Sequence, residues 1–210
     1  MALPDPFDPA CTACPRLAGF LDGIRAKHPE YFAGPVPAFG DADPKLLIVG
    51  LAPGMHGANR TGRPFTGDFA GILLYQTLFD LGLSSAPVSE HAGDGLQLFG
   101  VRISNAVKCL PPQNKPETSE IRQCNGFLRS EIDALPEACN LLALGKIAHD
   151  AVLMAYGQKL SSLKFGHAAE HRLPDGRRLT DSYHCSRYNT QTRRLSGEMF
   201  RSVVKLAAGL

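Results

Sequence analysis

Three short runs constrain this chain most: "KLLIV" at 45–49, "VRISNAVKC" at 101–109 and "NLLALG" at 140–145. The first and last are apolar after their opening Lys45 and Asn140 and sit beside proline or glycine, as strands buried on both faces do. The second reads as another strand. Between them, "FAGILLYQTLFDLGL" (69–83) places apolar residues at helical spacing, with Asp68 where an N-cap belongs. Residues 117–135 and 146–157 also read as helices, and "PPQNKP" blocks regular structure. "HAAEHRLPDGRRLTDSYH" predicts a hairpin with its turn at 174–176, followed by a polar loop, "HCSRYNTQTRR", and a last helix over "SGEMFRSVVKLAA". Strands alternating with helices imply an α/β fold: a three-layer α/β/α arrangement around a mostly parallel sheet. At 210 residues without internal repeats, one domain over 1–210 is expected.

That topology predicts where ligands bind. In open parallel sheets the site lies outside the carboxyl ends of the strands. The segments leaving strand ends are Gly50–Asp68, Asn105–Cys109, Gly145–Lys146 and His184–Arg194, and they are expected to meet at one edge. The first, "GLAPGMHGANRTGRPFTGD", is long, polar and holds five glycines. It matches neither GxxxxGK[ST] nor GxGxxG, so it is not a known phosphate cradle. Its glycines would let a ligand approach the main chain.

Composition excludes other classes. The chain is 44% hydrophobic and 20% charged, an ordinary globular balance. No stretch approaches the roughly 18 apolar residues of a membrane span. The start, "MALPDPFDPACTACPRL", has prolines and acids where a signal peptide needs basic and then apolar residues. A cytoplasmic protein is expected. The net charge of +2 does not by itself imply nucleic acid, but nine Lys and Arg against four acids from Lys164 onward suit a phosphate-facing surface. In a cytosolic chain the six cysteines are ligands, catalytic groups or core filler rather than disulfides. Cys11 and Cys14 form CxxC; with Cys109 and Cys124 they make a metal signal, and the loose second spacing suits an iron–sulfur cluster better than a zinc ribbon. Cys139, before an apolar strand, reads as core filler.

The single residues leave alternatives. Phe65 is either a loop anchor or a platform for a flat ring. Asp68 is a helix cap, or an acid that orients water or faces positive charge. Asn105 is a buried amide satisfied by local backbone, or the reader of a pyrimidine edge. His184 is structural, or functional in its polar setting beside Ser186, Arg187, Tyr188 and Asn189.

Taken together, "GLAPGMHGANRTGRPFTGD", "NAVKCLPP", the cysteine pattern, "LALGKIAHDA" and "YHCSRYNTQT" resemble the uracil-DNA glycosylase superfamily, most closely its family 5, or B-type, iron–sulfur enzymes. A-type relatives carry an acid where this chain has Leu51 and lack the Asn-Arg-Thr-Gly stretch found here at 59–62. The resemblance covers residues 11 to about 195 and implies a uracil-DNA glycosylase-like fold. It also implies an enzyme of base excision repair that flips a deaminated base (uracil, and hypoxanthine or xanthine besides) out of double-stranded DNA and hydrolyses its N-glycosidic bond. A non-catalytic iron–sulfur nucleic-acid-binding module is the alternative. It implies a base pocket of Gly50, Leu51, Ala52, Pro53, Gly54, Phe65 and Asn105, with Asp68 and His184 catalytic. It implies DNA contacts from Asn59, Arg60, Lys146, Arg187, Tyr188, Asn189 and Arg193, and a structural 4Fe–4S cluster on Cys11, Cys14, Cys109 and Cys124. A monomer that joins the nucleoid when bound to DNA is expected. The family's His-Pro-Ser is "HCS" here, so Cys185 removes a proline that would fix the backbone beside His184. No lysine in "YHCSRYN" can form a Schiff base, so a monofunctional glycosylase is expected.

Overall fold

The computed structural model describes residues 7–210; the proline- and acid-rich start that argues against a signal peptide lies partly outside them. Six strands form one sheet: β1 (Phe39–Gly40), β2 (Leu46–Gly50), β3 (Val101–Asn105), β4 (Asn140–Leu144), β5 (Glu170–Arg172) and β6 (Arg178–Ser182), in the order β1-β3-β2-β4-β6-β5. The four inner strands are parallel, and β1 and β5 close the edges antiparallel. The helices are α1 (Pro15–Lys27), α2 (Ala58–Thr61), α3 (Phe69–Asp80), α4 (Thr118–Asp133), α5 (Lys146–Ala155), α6 (Arg187–Gln191) and α7 (Gly197–Ala208).

The period of two along β2 and β4 sorts the core. Leu46, Ile48, Leu142 and Leu144 pack with Leu74 and Leu78 of α3 and Phe200 and Val204 of α7. Leu47, Val49, Leu141 and Ala143 pack on the other face with Leu128 of α4 and Val152 of α5. The expected α/β fold with helices on both faces of a mostly parallel sheet is therefore present. Cys139 fills the second core, as its position predicts. No helix among the described residues is long and apolar enough to cross a membrane.

The differences from the sequence reading lie at element ends. The strand expected over 101–109 stops at Asn105, opposite Gly50 where β2 also ends. Beyond it the chain follows the strand-end loop instead: Ala106 N–H donates to the Gly50 carbonyl (2.9 Å) and Val107 N–H to that of Leu51 (3.0 Å). Helix α3 ends at Asp80 because Gly82 turns left-handed (φ +72°). Helix α1, unread in the sequence, starts with Pro15 in its first turn and buries Leu17, Leu21 and Ile24. The polar loop after β6 contains α6, capped by Ser186 Oγ.

Two buried polar groups lock the layers. Lys108 is 1% exposed, and its Nζ donates to Ser104 Oγ and to both Glu131 oxygens (2.7 and 2.9 Å). Breaking such a pair strands a charge, so Lys108→Met is expected to cost about 3–5 kcal/mol in urea unfolding, most of it recovered when Glu131→Leu is added.

On the same face of the sheet, under α5, the buried His149 faces only acceptors. Its Nδ1 lies 2.8 Å from Asp181 Oδ1 and its Nε2 3.1 Å from the Leu163 carbonyl; His171 Nε2 takes the second Asp181 oxygen at 3.0 Å. Both His149 nitrogens therefore donate, which makes the ring an imidazolium. Burial pulls its pKa down, but the hydrogen bond and charge of Asp181 outweigh burial and raise it above 6.5. A raised pKa gives stability that is complete below the unfolded value and lost as pH climbs through the folded one. The stability gap between the parent and His149→Gln is thus expected to be widest below pH 6.5 and to narrow above it, in denaturation curves taken across pH.

Candidate active site

The strand-end segments do meet. A cleft of about 460 Å³ opens at the carboxyl edge of the sheet, walled by the loop after β2, the end of β3, and the segment after β6. Leu51, Ala52 and Gly54 line it; Gly50 and Pro53, expected in the base pocket, are not among its lining residues. A Cβ on Gly50 would overlap Asn105 Oδ1 and come within 2.7 Å of the Phe65 ring, so only glycine lets these two side chains converge.

Phe65 both anchors the loop and lines the cleft. It is 6% exposed, packs into the core, and holds a left-handed backbone (φ +55°). That conformation is costly for an aromatic residue and persists only where neighbours enforce it. Here the Tyr75 hydroxyl donates to the Pro64 carbonyl at 2.8 Å, and Thr66 Oγ1 pairs with Ser89 Oγ at 2.7 Å. The Phe65 ring stacks on His184 at 5.9 Å between centroids.

Asn105 is 3% exposed, and its Oδ1 is buried without a hydrogen-bond partner. Satisfaction by local backbone does not hold for that atom. An unpaired buried acceptor costs about 1–3 kcal/mol, and a donor on a bound ligand would relieve that cost.

His184 follows β6, and burial pushes its pKa down to about 4, so the ring is neutral near pH 7. No protein group among the described residues hydrogen-bonds the ring. Its carbonyl accepts from Asn189 Nδ2 at 2.8 Å. Cys185, in place of the family's proline, is fully buried in the core beside it, and burial pushes its thiol pKa upward. The thiol is packing rather than a reactive group.

The two oxygens of the Asp68 carboxylate have different surroundings. Oδ1 caps α3, accepting from Gly71 N–H at 2.8 Å. Oδ2 points toward Gly54 and Gly57, where a Cβ on Gly57 would collide with it. Burial raises the carboxyl pKa against the opposing pull of the Gly71 and Ala70 amides.

The expected DNA-facing residues divide. Tyr188 is 71% exposed at the start of α6, Arg187 reaches over the Phe69 ring at the cleft mouth (5.7 Å), and Arg60 and Arg193 are exposed. Asn59 is corrected: it is 0% exposed, so it cannot touch a phosphate. Asn189 spends its side-chain amide on the His184 carbonyl and so holds the segment after β6. Lys146 lies outside the cleft, its Nζ 2.6 Å from Asp150. Asn114 lines the cleft and was missed. It adopts φ +56° in a 3₁₀ turn over Pro112–Asn114; an asparagine after two prolines is the signal that marks such a turn.

A second cavity of about 370 Å³ is lined by Cys11, Cys14, Cys109 and Cys124 together with apolar Leu17 and Phe127. Cys14 precedes α1, Cys109 ends the strap after β3, and Cys124 projects from α4 and accepts the Lys108 N–H at 3.2 Å. All four are free thiols. Burial, then the neighbouring thiols, push Cys109 up to about 12. Arg16 of α1 clasps Glu120 of α4 (2.6 and 2.7 Å), tying the two helices that carry or follow these cysteines.

The chain that builds this cleft at the carboxyl ends of parallel strands also matches a known family model. The model of the uracil DNA glycosylase superfamily covers residues 37–208, and the chain belongs to that superfamily. Among curated proteins, the Type-5 uracil-DNA glycosylase of Thermus thermophilus is 49% identical, with 96% of this chain and 95% of that protein aligned. The Type-5 uracil-DNA glycosylase of Pyrobaculum aerophilum is 40% identical over 94% of this chain and 88% of that one. The same organism's Type-4 uracil-DNA glycosylase aligns over only 64% of this chain, at 34% identity. Within the superfamily the chain therefore falls with the type-5 group.

Proposed function

We propose that this chain is a monofunctional DNA glycosylase that removes uracil, and also hypoxanthine and xanthine, from double-stranded DNA. The observation that carries the reading is the unpaired Asn105 Oδ1 in a cleft walled by Phe65 and His184, within a chain whose full-length relatives bear the name uracil-DNA glycosylase. Asn105 Oδ1 accepts from a ring N–H of the flipped base while Phe65 stacks on its face. As the bond from the sugar C1′ to the base nitrogen breaks, its electron pair moves into the base. The neutral His184 ring then donates a hydrogen bond to the base oxygen on which charge builds. Asp68 Oδ2 faces the sugar side, stabilises the developing cation and orients a water. Water oxygen bonds to C1′, and its proton passes to the carboxylate or to solvent. No lysine lines the cleft among the described residues, in keeping with hydrolysis rather than Schiff-base chemistry.

Cys11, Cys14, Cys109 and Cys124 fit a 4Fe–4S cluster: four free thiols share one largely apolar cavity, and an amide N–H already points at one sulfur. A bound cluster supplies a rigid structural crosslink. The chain's contribution is to bring the N-terminal segment, the strap after β3 and α4 to that point.

Incubation with labelled duplexes carrying uracil, hypoxanthine or xanthine tests the reading. Abasic sites cleavable by hot alkali are expected, with no adduct trapped by borohydride. Duplex binding without any abasic product would favour the non-catalytic module. Visible charge-transfer absorption with equal iron and sulfide in anaerobically purified protein is expected, and bound zinc instead would refute the cluster.

A further inference from the structure

One buried charge is not used by this chemistry. Lys108 stands between the two cavities, on the strap of residues 104–109. One end of the strap carries Asn105, and the other carries Cys109. Ala106 and Val107 tie the strap to the main chain of Gly50, the last residue of β2, and of Leu51, which lines the cleft. Lys108 ties it to the thiols: its N–H donates to Cys124 Sγ, and its carbonyl accepts from Val36 N–H at 2.7 Å.

The side chain does something further. It turns back four residues to donate to Ser104 Oγ, closing a ring around Asn105. Ser104 in turn donates to Glu131 Oε2 at 2.6 Å, and Glu131 sits on α4 two turns beyond Cys124. Ser104 is 0% exposed and Glu131 7%, so solvent does not compete for these bonds. A plain core residue at 108 would fill the volume without fixing the direction of the strap. The charge triad fixes it from both ends, because every polar atom at its centre is paired.

We propose that Lys108, with Ser104 and Glu131, is a positioning device that aims the Asn105 amide into the base pocket and makes the pocket and the thiol-lined cavity one rigid body. None of the three touches the base. The proposal rests on the glycosylase reading for its kinetic test, but not for its structural one.

The test compares the anaerobically purified full chain with Lys108→Met/Glu131→Leu, which removes both charges together so that none is stranded. Glu131→Gln, which keeps the shape, serves if the double variant does not fold. A displacement of the reading group by about an ångström is expected to lower kcat/KM on uracil duplexes about 100-fold. Affinity for an undamaged duplex is expected to stay the same. Combined with Asn105→Ala, the charge-free variant is expected to be no slower than Asn105→Ala alone, because both remove one function. Additive losses would overturn the proposal. A readout independent of turnover is the side-chain amide resonance of Asn105, assigned by its loss in Asn105→Ala. It is expected to move in the charge-free variant and in Glu131→Gln, and an unmoved resonance overturns the proposal. A parent protein that excises no base refutes the glycosylase reading and leaves the resonance test to decide this one.

Discussion

His184→Ala is expected to lower kcat on uracil-containing duplex by roughly 100- to 1000-fold, the usual loss when one oxyanion donor is removed from a preorganised site. The expectation follows from the ring's surroundings. Burial holds its pKa down to about 4, so near neutral pH it carries one N–H and no charge. A neutral donor gains most when charge appears on the leaving base and gains little in the ground state, which is the condition for raising kcat rather than only tightening binding. The ring is also held in place. It stacks on Phe65, Gly145 leaves 3.5 Å between its missing Cβ and that of His184, and Asn189 grips the His184 carbonyl. Asn189→Ala should therefore reproduce part of the loss through misplacement. Single-turnover rates for the three proteins check this. A His184→Ala rate within threefold of the parent would remove the histidine from the chemistry.

The same residues show what a sequence discloses and what it withholds. Gly50, Phe65 and Asp68 were legible because each answers to a local rule: a glycine at a strand end, an aromatic stranded in a polar loop, an acid before an apolar helix. The topology that brings them to Asn105 and His184 was legible as well, since buried parallel strands leave only one edge for a site. What escaped depends on contacts far apart in the chain. The partner of Lys108 lies 23 residues away on α4, and no periodicity links them. Asn59 has the chemistry of a phosphate contact, but the packing of α2 turns it fully inward. Asn189 looks like its exposed neighbours Arg187 and Tyr188 until α6 forms and rotates it toward His184. The strand after Val101 was overread because "AVKC" continues the apolar pattern, although the chain there bonds only the last residue of β2 and the loop beyond it.

Asp68→Asn is expected to separate the helix cap from the catalytic role proposed for the same side chain. Asparagine caps a helix as well as aspartate does, so the bond from Gly71 N–H to Oδ1 can be kept. Stability should not fall. The carboxyl pKa is raised in the folded chain, chiefly by burial, so the ionised form is disfavoured by folding at neutral pH. Replacing it with a neutral amide removes that penalty, and the urea midpoint is expected to hold or rise. Turnover should move the other way. The second oxygen faces Gly54 and Gly57 at the cleft, and in the proposed mechanism losing its charge removes both the base for water and the counterion for the sugar cation. A loss of about 100-fold or more in kcat is expected, in the range of general-base contributions. The parent's rate should fall as pH drops through the raised Asp68 pKa, because the acid form cannot accept a proton. In Asp68→Asn that acid limb should vanish, leaving a flat, low rate. Asp68→Ala is the complement: it should lose the same rate and, with the cap gone, about 1 kcal/mol of stability as well. If Asp68→Asn turned over at the parental rate while Asp68→Ala unfolded more easily, Asp68 would be a cap and nothing more.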